Sequence, residues 1–101
     1  MVCVYIRVWE YKVTAGHIDA FLAAYGADGE WARLFRQGRG HVGTELYRGT
    51  DVGDHFVTVD RWTDHDAWLQ FLDEYRETYD RLDAAMTHLS ALQRDLLQGS
   101  D

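Results

Sequence analysis

The stretch that most constrains the fold is residues 59–66, VDRWTDHD, where an alternating strand runs directly into a helix. Thr63 is a suitable N-cap, and Asp64 and Asp66 place negative charge at the positive end of the helix dipole. Beyond this cap, apolar and aromatic side chains recur at helical spacing, at Trp68, Phe71, Leu72, Tyr75, Tyr79, Leu82 and Met86. The pattern predicts a long helix that ends at about residue 89 and lays an aromatic face on a sheet.

The first strand, residues 2–13, is apolar on both of its faces. Val2, Val4, Ile6 and Val8 form one face, and Cys3, Tyr5, Arg7, Trp9 and Tyr11 form the other. Antiparallel sheets often leave one face in water, so two apolar faces imply helices on one side and, most simply, the sheet of a second copy on the other. We therefore expect a homodimer. The sequence leaves open which set faces the helices, and Arg7 and Trp9 would lie at the dimer interface if the even-numbered set did.

The remaining elements follow from shorter patterns. Apolar residues at helical spacing predict one short helix from Ile18 to Tyr25 and another around Trp31 and Phe35. Residues 41–48 and 55–62 predict a hairpin, and residues 92–97 predict a short edge strand. The order β-α-(α)-β-β-α-β predicts an α+β, ferredoxin-like fold with an antiparallel sheet, in a single domain over residues 1–101.

Composition excludes several classes of function. Seventeen acids against ten bases give a formal charge of −7, which would repel a phosphate backbone, so we expect no nucleic-acid partner. No apolar run approaches the roughly 20 residues that span a bilayer, so we expect no membrane association. The lone cysteine, Cys3, is expected to be a buried small hydrophobe in a cytoplasmic protein. Asparagine and proline are absent and Lys12 is the only lysine, a bias that suggests a GC-rich bacterial genome.

Several segments together resemble a known family. The junction at residues 59–66, VWEY at 8–11, WARLF at 31–35 and GTEL at 43–46 resemble the antibiotic biosynthesis monooxygenase family. The resemblance implies a dimeric α+β barrel with a ligand cavity in each protomer, between the sheet and its helices. It also implies that the chain could, like some members, oxidise phenolic or quinol-like compounds with O2 and without metal or flavin.

Arg7 and Trp9 are the candidate catalytic residues. A cation within an apolar strand must meet a carboxylate, a ligand oxyanion or water, and an ion pair with Glu45 or Asp60 is the structural alternative. The Trp9 indole could donate to a substrate oxygen, or could simply pack in the core or the dimer contact. Glu10 has the other parity and could be a base if it were desolvated.

Six aromatic residues are candidates for a substrate-binding wall because they lie on inward helical faces, where packing in the core is the alternative role. They are Tyr25, Trp31, Phe35, Trp68, Phe71 and Tyr75. Tyr25 and Tyr79 could also offer hydroxyl groups at a cavity mouth.

We predict no metal site, because the five histidines are scattered without ligand spacing. We also predict no cofactor, because no P-loop or dinucleotide glycine pattern appears and the resemblance implies a reaction without metal or flavin. One branch of the same fold degrades haem with an Asn on the first strand and a His about three turns after a helical Trp. In this chain Trp9 stands near the position of the Asn and Thr78 near that of the His, which disfavours haem degradation. His88 as an unusual axial ligand is the alternative that the sequence leaves.

Three functions are therefore compatible with the sequence. The first is a homodimeric, cofactor-independent monooxygenase acting on a small aromatic or quinol-like compound. The second is a non-catalytic or stress-related module that binds a hydrophobic small molecule in the same cavity. The third is an isomerase or cyclase of a polyketide-like substrate.

Overall fold

Four strands and three helices follow one another in the order expected from the sequence. They are β1 (Tyr5–Val13), α1 (Ile18–Tyr25), α2 (Glu30–Phe35), β2 (His41–Arg48), β3 (His55–Trp62), α3 (His65–Met86) and β4 (Ser90–Ser100), with a 3-10 turn at Thr87–Leu89 before β4. The computed structural model describes residues 4–51 and 53–101, so the expectations for Val2 and Cys3 lie outside the described residues. The predicted α+β, ferredoxin-like fold is confirmed.

The sheet is antiparallel with the strand order β2-β3-β1-β4, so β3 and β1 are central. β3 alternates strictly, with Phe56, Thr58, Asp60 and Trp62 buried and the residues between them half-buried. Directly paired residues share a face, and Arg7 pairs with Asp60 on β3. The odd-numbered residues of β1 therefore face the helices, which resolves the ambiguity that the sequence left.

The core is built from aromatic side chains between this inner face and the helices. Trp62 is fully buried, and its ring centre lies 5.4 Å from that of Trp68 and 5.1 Å from that of Phe71. A Cβ atom at Gly40 would lie 2.3 Å from the Cβ of Ala67, so only glycine allows the chain before β2 to approach the start of α3. The segment before β2 therefore packs directly against the junction of β3 with α3.

The start of α3 differs from the prediction in one residue. Asp64, and not Thr63, is the N-cap, and its Oδ1 accepts a hydrogen bond of 2.7 Å from the N–H of Ala67. Thr63 instead donates its N–H to the carbonyl oxygen of Gly40, which extends the hairpin by one residue. The helix has a kink at Tyr75 and ends at Met86, and a 3-10 turn continues to Leu89, close to the predicted end of the helix.

The last strand is longer than predicted. β4 spans 11 residues and pairs along β1 from Val13 to Tyr5, with a bulge opposite Val8 and Trp9. The expectation of a short strand over residues 92–97 was wrong because most β4 side chains are exposed, so burial imposes no alternation on the sequence. Main-chain hydrogen bonds to β1 define the strand instead. Its predicted position at the sheet edge is confirmed.

None of the helices in the described ranges is long and apolar enough to cross a membrane.

Candidate functional site

A cavity lies between the inner face of the sheet and the helices. The gap totals about 490 Å³ with its open mouth included, and about 30 Å³ of it is wide enough for water-sized molecules. That wide part holds roughly one or two waters. The lining residues come from all four strands and all three helices described above: Arg7, Trp9, Tyr11, Tyr25, Trp31, Phe35, Thr44, Thr58, Asp60, Trp68, Tyr79, Asp83 and Gln93.

Arg7 brings a positive charge to this cavity. Its side chain is only 12% exposed, and its Cζ lies 4.3 Å from the ring centre of Trp68 and 5.8 Å from that of Trp9. Its ion-pair partner is Asp95 on β4, at 3.7 Å, rather than Glu45 or Asp60 as the structural alternative had it. These cation–π contacts help to hold the guanidinium while leaving N–H groups for an anionic ligand atom.

Glu45 was a poor choice of partner because it has the opposite parity. It lies on the outer face of the sheet, where it accepts a 2.7 Å hydrogen bond from Nε of Arg61. Asp60 is the direct neighbour of Arg7 on the inner face, and the charge of Arg7 acts to lower the pKa of that carboxyl.

Asp60 brings a buried carboxyl group to the same cavity. The residue is 9% exposed, and burial raises its pKa to about 6, against the opposing effects of the Thr44 hydrogen bond and the Arg7 charge. The hydroxyl of Thr44 donates to Oδ1 of Asp60 at 2.7 Å, and Nε2 of His41 lies 3.0 Å from the same hydroxyl oxygen. The carboxyl group is therefore held at one oxygen, and its pKa lies closer to neutrality than that of an exposed aspartate.

Three tyrosines supply neutral hydroxyl groups around the cavity. Burial raises the pKa of Tyr11 well above its ordinary range, raises that of Tyr25 to about 12, and raises that of Tyr79. The Nε1–H of Trp31 is near enough to the Tyr25 hydroxyl to oppose that rise, but it is buried without a hydrogen bond of ordinary geometry. A ligand oxygen could accept from it, which would satisfy an otherwise costly buried donor.

The structure brings together six of the eight predicted site residues. Arg7, Trp9, Tyr25, Trp31, Phe35 and Trp68 line the cavity. Phe71 and Tyr75 do not. Phe71 is 2% exposed and packs on Trp62, and the Tyr75 hydroxyl donates to the carbonyl oxygen of Gln37 at 3.2 Å. An apolar stripe at helical spacing is wider than one cavity, so its members divide between core and lining.

Glu10 does not reach the cavity. It lies on the outer face of the sheet, where its carboxylate accepts a 2.6 Å hydrogen bond from Nε2 of His55 and another from Arg94. The hydrogen bond from His55 lowers the pKa of Glu10. Glu10 thus has the other parity, as expected, and it cannot act as a base within this cavity.

Asp60, Thr44 and Thr58 were not predicted as site residues, although one signal for two of them was present. Polar Thr58 and Asp60 occupy inward positions between Phe56 and Trp62 on a strictly alternating strand. An acid at such a position must be paired or must face a cavity. Thr44 had no comparable signal, because its role depends on pairing between β2 and β3.

No group of three or more His, Cys, Asp or Glu side chains within the described ranges is arranged to hold a metal ion. His17 and His88 approach each other, with ring centres 5.5 Å apart, but neither lines the cavity.

Comparison with known proteins gives a consistent family and fold. The model of a family described as antibiotic biosynthesis monooxygenase matches residues 4–88. A mutant of SnoaB, a cofactor-independent oxygenase from Streptomyces nogalater, is 23% identical, with a TM-score of 0.72 over 100% of this chain and 92% of that one. No curated protein matches the chain in sequence.

Two further solved structures share the fold at lower identity. A candidate antibiotic biosynthesis monooxygenase from Nitrosomonas europaea is 11% identical, with a TM-score of 0.73 over 100% of this chain and 92% of that one. A protein from Pseudomonas aeruginosa is 15% identical, with a TM-score of 0.67 over 100% and 95%. At these identities the likeness describes the fold alone.

Proposed function

Because this chain belongs to the antibiotic biosynthesis monooxygenase family, we propose that it is a cytoplasmic bacterial monooxygenase that oxidises a small aromatic or quinol-like compound with O2 and without a cofactor. The observation that carries the proposal is the pairing of Arg7 with Asp60 on one face of a cavity walled by aromatic rings. A cation suits a developing phenolate, and aromatic walls suit a flat apolar ring. SnoaB, a structural neighbour, is a cofactor-independent oxygenase.

The reaction that fits these groups begins with loss of a proton from the substrate. For an activated methylene opposite a phenol, this leaves a carbanion that passes one electron to O2, and the two radicals join as a peroxide at that carbon. Protonation and loss of water give the ketone, so that one CH2 group and one O2 become one C=O group and one H2O. Arg7 would stabilise the phenolate oxygen, while Trp9 packs on the ring and Trp31 donates Nε1–H to a second oxygen.

The width of the cavity adds a condition to this proposal. A two-ring substrate is larger than the 30 Å³ wide part, so binding requires lining side chains to move. Gln93 is exposed and Asp83 is half-buried, which places the mouth between β4 and the second half of α3. Three tryptophans line the cavity, so ligand entry should change the intrinsic fluorescence.

Oxygen uptake tests the proposal directly. Purified, metal-stripped protein is supplied with hydroquinones, naphthoquinols and anthrones, and uptake is compared with the autoxidation rate. We expect Arg7→Ala to reduce the enzymatic rate by about a hundredfold, because it removes the cation that stabilises the oxyanion. Trp9→Phe should reduce it less, since a ring remains. Arg76→Ala, on the exposed side of α3, removes the same charge and should leave the rate unchanged.

A non-catalytic module that binds a hydrophobic small molecule is the second candidate. Seven aromatic side chains line the cavity, which favours binding of an apolar ring whether or not a reaction follows. Saturable fluorescence quenching by these compounds without oxygen uptake would favour this function. Product formation in the absence of oxygen would instead indicate an isomerase or cyclase.

We also propose that the protein is a homodimer whose two sheets pair through their outer faces. Val8 lies between Val59 and Leu97 on that face, in a row that crosses the three strands, and Leu97 is 51% exposed. Ile6 and Val57 extend the apolar surface on neighbouring rows. Ion pairs and hydrogen bonds of Glu10 and Arg61 border it, as expected for an interface with an apolar centre and a polar rim.

A further inference from the structure

A row of polar side chains crosses the inner face of the sheet where aromatic residues otherwise dominate. Thr44 on β2 pairs with Asp60 on β3, which pairs with Arg7 on β1, which pairs with Gln98 on β4. Thr44, Asp60 and Arg7 all line the cavity. A strand position facing a core normally carries an apolar residue, and a polar residue is retained there only where it is hydrogen-bonded, ion-paired or used by a ligand.

The hydrogen bonds within the row orient the Asp60 carboxyl group. Thr44 donates its single hydroxyl proton to Oδ1 of Asp60, so its oxygen can only accept from His41. Nε2 of His41 must therefore carry the proton of that bond. Burial and the charge of Arg36 both lower the pKa of His41, which keeps the ring neutral in this role. One oxygen of Asp60 is thus fixed, and the other is left for the cavity.

We propose that Asp60 is the catalytic base of this cavity, and that Thr44 and His41 are positioning residues that act through it. The inference rests on the monooxygenase function proposed above, and it names the group that takes the first proton. The free oxygen of Asp60 accepts a proton from the methylene or hydroxyl group of the substrate. The C–H or O–H bond breaks, its electron pair stays on the substrate beside Arg7, and a new O–H bond forms on Asp60.

The same proton is available for the last step. After O2 has added to the substrate carbon, protonated Asp60 returns its proton to the peroxide and gives a hydroperoxide. The remaining C–H bond of that carbon then breaks, its electron pair forms the C=O bond as the O–O bond cleaves, and the released proton and hydroxide leave as water. The carboxylate is regenerated, so no external acid or reductant is required. A carboxylate suits both steps because burial has brought its pKa towards neutrality.

Several charged or titratable groups lie around Asp60, and among them the charge of Arg7 acts to lower its pKa. They are Arg7 and Tyr11 from β1, His41 through Thr44 from β2, Tyr79 and Asp83 from α3, and Asp95 from β4 through its ion pair with Arg7.

Hydrogen exchange under nitrogen isolates the proton transfer from the reaction with oxygen. The protein is incubated with anthrone in deuterium oxide, and deuterium in the methylene group is followed by mass spectrometry above the protein-free rate. We expect the wild-type protein to accelerate exchange and Asp60→Asn to slow it by about a hundredfold or more. Asp73→Asn, an exposed acid on α3, should match the wild type. Circular dichroism verifies that each variant is folded.

The pH dependence of exchange tests the positioning residues. The wild-type rate should rise through a midpoint near the Asp60 pKa of about 6. Thr44→Val removes a hydrogen bond that lowers this pKa, so the midpoint should move to higher pH, and Thr44→Ser should restore it. His41→Phe should move the midpoint in the same direction by less. If the midpoint pH of exchange is the same in these variants as in the wild type, Thr44 and His41 have only a structural role, and that part of the proposal is overturned.

The combination of exchange and oxygen uptake separates this proposal from the one on which it rests. Exchange that depends on Asp60 supports the base, and if the wild-type protein then consumes no oxygen, the oxygenase fails while the base stands. Oxygen uptake that Asp60→Asn retains overturns the base and leaves the oxygenase. Absence of wild-type exchange also overturns the base. The proposal is also overturned if Asp83→Asn loses exchange while Asp60→Asn retains it, because Asp83, the other carboxylate in the cavity, would then be the base.

Discussion

Replacement of Asp60 by Asn should stabilise the protein, and by more as the pH rises. The folded protein holds the pKa of Asp60 at about 6, above its ordinary value of 3.8, because burial disfavours the charged form. The folded state therefore binds more protons than the unfolded state between these two values, and ionised Asp60 costs stability once the pH exceeds both. Asn keeps the shape of the side chain and can still accept from Thr44, but it carries no charge.

The difference between the two pKa values sets the magnitude. About two pH units at 1.36 kcal/mol each gives a total of about 3 kcal/mol at high pH. At about pH 4.5, Asp60 already destabilises the wild-type protein by roughly 1 kcal/mol, because Asp60 is mostly ionised in the unfolded state and mostly protonated in the folded state. The free energy of unfolding of Asp60→Asn minus that of the wild type should therefore grow by about 2 kcal/mol between about pH 4.5 and about pH 7.5.

Urea unfolding at a fixed protein concentration measures this difference, with the concentration held because association contributes to stability. Any constant effect of the amide group cancels from the pH dependence. Asp73→Asn provides the matched control, since it removes a charge from the exposed side of α3. A difference between Asp60→Asn and wild type that stays constant across this pH range would refute the conclusion that burial raises the Asp60 pKa.

Three further changes test the fold and the association surface. Gly40→Ala should destabilise the protein by about 1–3 kcal/mol through the clash at α3, whereas Gly43→Ala, where a Cβ meets nothing within 4 Å, should be nearly neutral in urea unfolding. Asp64→Ala should cost about 1 kcal/mol by the same assay through loss of the N-cap. Leu97→Asp should convert a dimer to monomers in sedimentation velocity, whereas Leu69→Asp, exposed on α3, should not. Wild-type protein that sediments as a monomer would remove the basis of the last prediction.

The sequence predicted the fold well because its elements carry strong periodic signals. β3 alternates without exception and α3 repeats its aromatic stripe over many turns, so side-chain burial alone specifies both. β4 was underestimated because its pairing with β1 depends on main-chain hydrogen bonds, to which the side-chain pattern is insensitive. The N-cap was displaced by one residue because Thr63 and Asp64 both suit that position, and only the contact of Thr63 with Gly40 decides between them.

The candidate site was harder to predict because it depends on strand register. Arg7 drew attention as an isolated charge in an apolar strand, a signal that is local to the sequence. Its partner Asp95 lies 88 positions away on an edge strand, and the bulge beside it displaces the register, so no spacing rule connects the two. The contact between Thr44 and Asp60 likewise exists only through pairing of β2 with β3.

The alternation of β1 has a consequence for how such a chain can diversify. Its odd-numbered positions, such as Arg7 and Trp9, meet the cavity, and its even-numbered positions, such as Ile6 and Val8, meet the outer face. A point substitution on this strand therefore alters either the chemistry presented to a ligand or the surface presented to another protein, and rarely both. Descendants of one ancestor could change substrate while keeping their partner, or the reverse. An insertion of one residue in β1 that is not absorbed in a bulge would exchange the two sets over the part of the strand beyond it, so we expect evolution to tolerate substitutions on this strand far better than changes in its length.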